Sequence, residues 1–117
     1  MGIVSTKSYS FALNVIKTYK FLLDNKREFV LSKQLLRSGT AIGALIKEAE
    51  HAQSKADFLH KMKIALKEAN ETEYWIILLK DSNFISDEHF DQIIVECRDI
   101  LHLLIRIVST TKLSLKR

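Results

Sequence analysis

No proline occurs in these 117 residues, and only three glycines do, so the residues that most often break helices and build tight turns are nearly missing. A chain of this kind is confined to long, uninterrupted elements, and the spacing of its apolar residues makes those elements helical. At about 100° per residue, four segments each gather their apolar side chains on one face. The first spans residues 8–23, with Phe11, Ala12, Val15, Ile16, Tyr19, Leu22 and Leu23 on its stripe. The second spans 28–53, with Leu31, Leu35, Ser38, Ile42, Leu45, Ile46 and Ala49. The third, 55–80, carries Phe58, Leu59, Met62, Ala65, Leu66, Ala69 and Ile76. The fourth, 87–111, carries Phe90, Ile93, Ile94, Cys97, Ile100, Leu101, Leu104 and Val108.

The boundaries follow from side-chain chemistry. Asp24 and Asn25 favour a turn, because their side chains compete for nearby backbone hydrogen bonds. Ser54 with Asp57 three residues on reads as a capping box, and Ser86 reads as the N-cap of the last helix. Asp87, Glu88 and Asp91 suit the positive end of that helix's dipole. Connections this short make sequential helices antiparallel neighbours. The predicted fold is all-α, a single up-down-up-down four-helix bundle over residues 1–117.

No apolar run approaches the roughly 20 residues of a membrane span. The strongest, Tyr74 to Leu79, lies between Glu73 and Lys80, and Lys7 is followed by the mixed segment Ser8 to Asn14 instead of a signal-peptide core. The expectation is a cytoplasmic protein without a membrane partner. The lone Cys97 cannot build an internal disulfide framework and reads as a small core residue.

Catalytic or metal chemistry finds little foothold. Three acid-x-x-His pairs occur, Glu48 with His51, Asp57 with His60 and Asp99 with His102, the spacing that di-iron bundles use on inward faces. Here all three point away from the apolar stripe of their helix. Only Glu73 sets a carboxylate on a core face, where it needs a partner such as Arg37, Lys33 or a hydroxyl. There is no glycine-framed serine, no phosphate loop and no cysteine with a recognisable base. No enzyme, metal or cofactor is expected.

Binding surfaces are easier to find. The net charge is +4, and residues 1–54 hold eight Lys or Arg against four Asp or Glu, whereas 55–117 hold ten of each. Lys33, Arg37, Thr40, Ala44, Lys47 and His51 line one outer face of helix 2. Arg98, His102 and Arg106 repeat that spacing on helix 4, with Lys112, Lys116 and Arg117 beyond. Such stripes can neutralise phosphates, although Glu48, Glu50 and Asp99 dilute them and a solvated basic face is the plainer reading. Tyr9, Leu13 and Phe21 form a second apolar ridge on helix 1, and Ile64 and Trp75 share a face of helix 3 away from its stripe. The stretch Tyr74 to Leu79 is apolar on every side. These residues predict self-association or a protein partner. Gly39 and Gly43, among Ser38, Thr40, Ala41 and Ala44, each cost about 1 kcal/mol inside a helix, which points to close approach of another backbone, or else to a break in helix 2.

The blocks QLLRSGTAIGALIKEA (34–49), AQSKADF (52–58) and IALKEANETEYWIILL (64–79) resemble the four-helix-bundle family of 23S rRNA intervening-sequence proteins. The resemblance covers roughly residues 8–108. More distantly, the pattern is similar to the accessory variability protein of diversity-generating retroelements, a basic ring-forming bundle that works with a reverse transcriptase and nucleic acid. The resemblance implies a left-handed bundle, often a pentamer, with no catalytic residues to carry over. Its polar positions fall on Gln34, Arg37, Glu48, Glu68, Glu71 and Glu73. This chain departs from the family by placing Ala41 where Ser is common and Leu45 where Asn is common.

Two functions are therefore in play. One is an oligomeric nucleic-acid accessory protein acting through Lys33, Arg37, Lys47, His51, Arg98, His102 and Arg106. The other is a structural bundle that docks a protein through its apolar ridges. In either, Tyr9, Leu13, Phe21, Gly39, Gly43, Ile64, Trp75 and Leu79 are the expected subunit contacts.

Overall fold

The computed structural model describes residues 2–116, which form four helices and no strand: α1 (Gly2–Lys26), α2 (Leu31–Glu50), α3 (Lys55–Asp81) and α4 (Asp87–Lys116). Cross-helix pairs give their directions. On α1 and α2, Gly43 faces Ser8 and Gly39 faces Val15. Arg37 reaches Glu68 and Glu71, while Glu48 meets Lys61. Arg98 meets Glu73 and Lys55 meets Ser114. Asn14 reaches Glu96 and Thr18 reaches His89. In each pair one number rises as the other falls, so every adjacent pair of helices is antiparallel. The result is a rod of 51 × 21 × 21 Å.

The core runs the length of the rod. Phe11, Leu22, Leu35, Ile42, Ile46, Met62, Ile76, Leu79, Ile100 and Leu104 have no measurable exposure or almost none, and burial of each such side chain contributes about 1.5–3 kcal/mol. One polar pair lies among them, with the hydroxyls of Thr72 and Ser38 hydrogen-bonded at 2.9 Å between α3 and α2. Both residues are fully buried, which is tolerable because each hydroxyl has a partner.

The stripes are narrower than expected. Ala12, Ile16, Tyr19 and Leu23 are half-buried, and Thr18 takes an inner place on α1. Four helices packed at close range shield only about one side chain per turn of each, and the flanking positions form the seams.

The expected caps of α3 and α4 are in place. Ser54 Oγ accepts from the Asp57 amide at 3.0 Å, the Asp57 carboxylate accepts from the Gln53 amide at 3.2 Å, and Ser86 Oγ accepts from the His89 amide at 3.1 Å. The outer ends of α1 and α4 differ from expectation. Helix α1 starts at Gly2, and Val4, before the predicted limit, is itself buried; α4 continues to Lys116, past the predicted limit at the buried Thr111. Asp24 and Asn25 do not turn the chain. The helix passes through them to Lys26, and the turn falls at Arg27, whose φ of 50° lets the Glu28 amide donate to the Leu22 carbonyl at 3.0 Å.

Helix α2 is shorter than predicted, and Glu28 explains its start. From outside the helix its carboxylate accepts the amides of Val30, Leu31 and Ser32 at 3.1, 3.1 and 2.7 Å. Burial alone would raise its pKa, but these backbone donors prevail and hold it below the ordinary carboxylate value. Gly39 and Gly43 do not break α2, which is continuous.

Candidate functional site

The two basic stripes do not survive folding intact. Lys33, Arg37 and Lys47 of α2 and His51 just past its end are all exposed, but Arg37 is committed to α3, with its guanidinium 3.0 Å from Glu71 and 3.5 Å from Glu68. Burial raises the pKa of Glu68, and the adjacent Glu71 adds to this, while Arg37 opposes both. On α4, Arg98 Nε donates to Glu73 at 3.0 Å. That bond identifies the partner of Glu73: it is neither Arg37 nor Lys33, because Glu73 faces the α3–α4 seam, where it is half-exposed. His102 and Arg106 are exposed, and neither is ion-paired among the described residues. Arg117 lies outside the described residues.

Antiparallel packing redistributes the remaining charge. The end of the rod formed by the start of α1, the end of α2, the start of α3 and the end of α4 carries Lys47, Lys55, Lys61, Lys63, Arg106, Lys112 and Lys116 against Glu48, Glu50 and Asp57. At the opposite end, Lys20, Lys26, Arg27, Lys33 and Lys80 are outnumbered by Asp24, Glu28, Asp81, Asp87, Glu88 and Asp91. Of the predicted phosphate contacts, Lys47, His51 and Arg106 therefore share the basic end, with His102 toward the middle of the rod. Lys33 lies at the other end, and Arg37 and Arg98 are neutralised in between.

The acid-x-x-His pairs disperse in the same way. Glu48 binds Lys61 at 3.3 Å, Asp57 caps α3 and Asp99 lies 3.7 Å from Lys7, leaving His51, His60 and His102 exposed. Among the described residues no group of three or more His, Cys, Asp or Glu side chains is placed to hold a metal ion.

The expected subunit contacts divide into three groups. Tyr9 and Leu13 stand out from α1, 69% and 45% exposed. Tyr9 borders a shallow groove between α1 and α2 of about 600 Å³, floored by Ala12, Gly43 and Ala44 and edged by Lys47. Phe21, Ile64 and Trp75 are half-buried. Phe21 meets His89 edge-on at 5.8 Å, and Trp75 meets Tyr74 in the same manner at 5.2 Å. The third group corrects the expectation. Leu79 has no exposure and belongs to the core of its own chain. Gly39 is buried too, and the neighbour that approaches it is Val15 of the same bundle: a Cβ there would lie 2.8 Å from Val15 Cγ2. Gly43 similarly faces Ser8. The small residues of α2 thus let α1 pack closely.

Sequence periodicity missed a polar cleft of about 360 Å³ between α1 and α4. Asn14 Nδ2 donates to both oxygens of Glu96 at 2.9 and 2.8 Å, and Thr18 Oγ1 lies 2.9 Å from His89 Nε2. Burial lowers the pKa of His89, which favours the neutral ring beside that hydroxyl. Asn14 and Thr18 stand four apart on α1, as Asn and Thr interrupting the apolar face, and that was the available signal.

Residues 2–106 match the family described as 23S rRNA-intervening sequence protein. The chain belongs to that family. Its fold is also similar to a 1.70 Å crystal structure of a protein of unknown function from the S23 ribosomal protein family of Bacteroides thetaiotaomicron VPI-5482, at 53% identity and a TM-score of 0.89, over 91% of this chain and 98% of that one. No functionally curated protein matches. No helix among its described residues is long and apolar enough to cross a membrane.

Proposed function

We propose that this member of the 23S rRNA-intervening sequence protein family is a non-catalytic, self-associating accessory protein that binds the phosphate backbone of nucleic acid through its basic end. The observation that carries the reading is the uneven distribution of charge along the rod. A net charge of +4 spread evenly would be unremarkable for a domain of this size, but its concentration around Lys47, Lys55, Lys63, Arg106 and Lys112 gives a local field suited to a polyanion. Contacts of this type read little sequence. Self-association would multiply them, since linked weak sites act at high effective concentration.

A second reading, a bundle that docks a protein partner, has one observation in its favour, the exposed Tyr9 and Leu13 beside the α1–α2 groove. The two readings separate in a titration of single-stranded RNA, duplex RNA and duplex DNA at low and near-physiological salt. Nucleic-acid binding predicts that log K falls linearly with log salt, and that Lys47→Glu with Arg106→Glu weakens binding and reduces the slope by about 1 for each cation removed. Lys33→Glu with Arg37→Glu changes it little, because Lys33 lies at the other end and Arg37 is already paired. Absence of binding at low salt, or equal binding by the Lys47/Arg106 variant, rejects the proposal in favour of protein docking.

A further inference from the structure

At the basic end, α3 and α4 are separated by a groove made of two adjoining depressions of about 310 and 370 Å³ that share Phe58, Thr110 and Thr111. Phe58, Leu103 and Ile107 form an apolar floor. Arg106 borders one depression and Lys55 the other, with Ser114 beside Lys55 and hydrogen-bonded to it. No carboxylate lines either depression. An apolar floor with an aromatic ring, cations at both ends and hydroxyls between them matches an unstacked nucleotide: a base has an apolar π-face, and its flanking phosphates are anionic.

We infer that this groove seats a base of single-stranded nucleic acid against Phe58, with the adjoining phosphates on Lys55 and Arg106. The inference rests on the polyanion reading above and adds a preference for single strands, because a duplex keeps its bases stacked on one another and offers the groove only its backbone. A second copy of the chain fits the groove less well. Two copies meeting through this end would bring Lys55 and Arg106 against their own equivalents.

The test compares a labelled oligothymidylate, an abasic strand with the same number of phosphates and the corresponding duplex, titrated by fluorescence anisotropy at low salt. The oligothymidylate is expected to bind at least about fivefold tighter than the abasic strand, the span of one stacked base. Phe58→Leu retains the apolar floor and should abolish that difference while leaving the abasic affinity unchanged. Equal binding of oligothymidylate and abasic strand by the unaltered protein overturns the base site and leaves the phosphate reading standing. Failure of all three probes to bind overturns both. If Lys55→Glu with Arg106→Glu alters the particle mass in light scattering and leaves the oligothymidylate preference intact, the groove belongs to a second copy and the inference is wrong.

Discussion

Gly39 of α2 lies so close to Val15 of α1 that a Cβ at Gly39 would sit 2.8 Å from Val15 Cγ2 and 2.9 Å from Cγ1. Val15 is fully buried and β-branched, so it has little rotational freedom with which to move aside. Gly39→Ala gains about 1 kcal/mol of helix propensity and incurs an overpacking cost of about 1–3 kcal/mol. A net destabilisation of about 1 kcal/mol is expected in urea unfolding. In the double variant with Val15→Ala the new methyl occupies part of the vacated space, so the two effects should fall short of additivity by at least about 0.5 kcal/mol. Full additivity would mean that the two sites do not touch.

The Glu28 cap predicts a pH dependence. A carboxyl whose folded pKa lies below its unfolded value stabilises the fold above the unfolded pKa, and that contribution is lost as pH falls through the folded pKa. Glu28→Ala should cost about 1 kcal/mol near neutral pH, the usual worth of a cap. The gap between the two proteins should narrow as the pH is lowered below 4.5, the ordinary value from which Glu28 is depressed. A constant gap from pH 7 to pH 3 would show that the carboxylate is not the stabilising group.

Cys97 should be inert in the native protein. It has no exposure, and burial, reinforced by the nearby Glu73 carboxylate, pushes its thiol pKa up to about 12 in spite of Arg98. Labelling by a thiol reagent at pH 8 is expected to follow global unfolding, with a rate that rises with denaturant as the unfolded fraction does. Rapid labelling without denaturant would contradict the packing of α4.

Assembly can be tested without disturbing the core, because Tyr9 and Leu13 are exposed. Leu13→Lys should change stability by no more than about 0.5 kcal/mol, yet lower the particle mass in light scattering to that of one chain while the helical circular dichroism is kept. A mass that the substitution does not lower would remove the α1 ridge from the proposed interface. Trp75→Ala is a less clean probe, since Trp75 also packs on its own core and its loss should reduce stability as well.

Much of this molecule is written in local chemistry. The 3.6-residue apolar period, the missing prolines and the Ser54 and Ser86 caps depend on residues within a few positions of one another, and so the four helices and their order could be read directly. The turn at Arg27 could not, because neighbouring Asp24 and Asn25 carry the stronger turn signal and the choice falls to packing around Leu22. The roles of the glycines were half legible: their cost in a helix announced a close approach, but only the partner helix shows that Val15 and Ser8 make it. The candidate site depended most on tertiary structure. Lys33, Arg37 and Lys47 are equivalent cations along one face of α2, and nothing local separates them. Antiparallel packing sets Arg37 against Glu68 and Glu71, sends Lys33 to the acidic end and puts Lys47 at the same end of the rod as Lys55, Lys61 and Arg106, because which charges share an end is fixed by helix direction and register, and these are long-range properties of the fold.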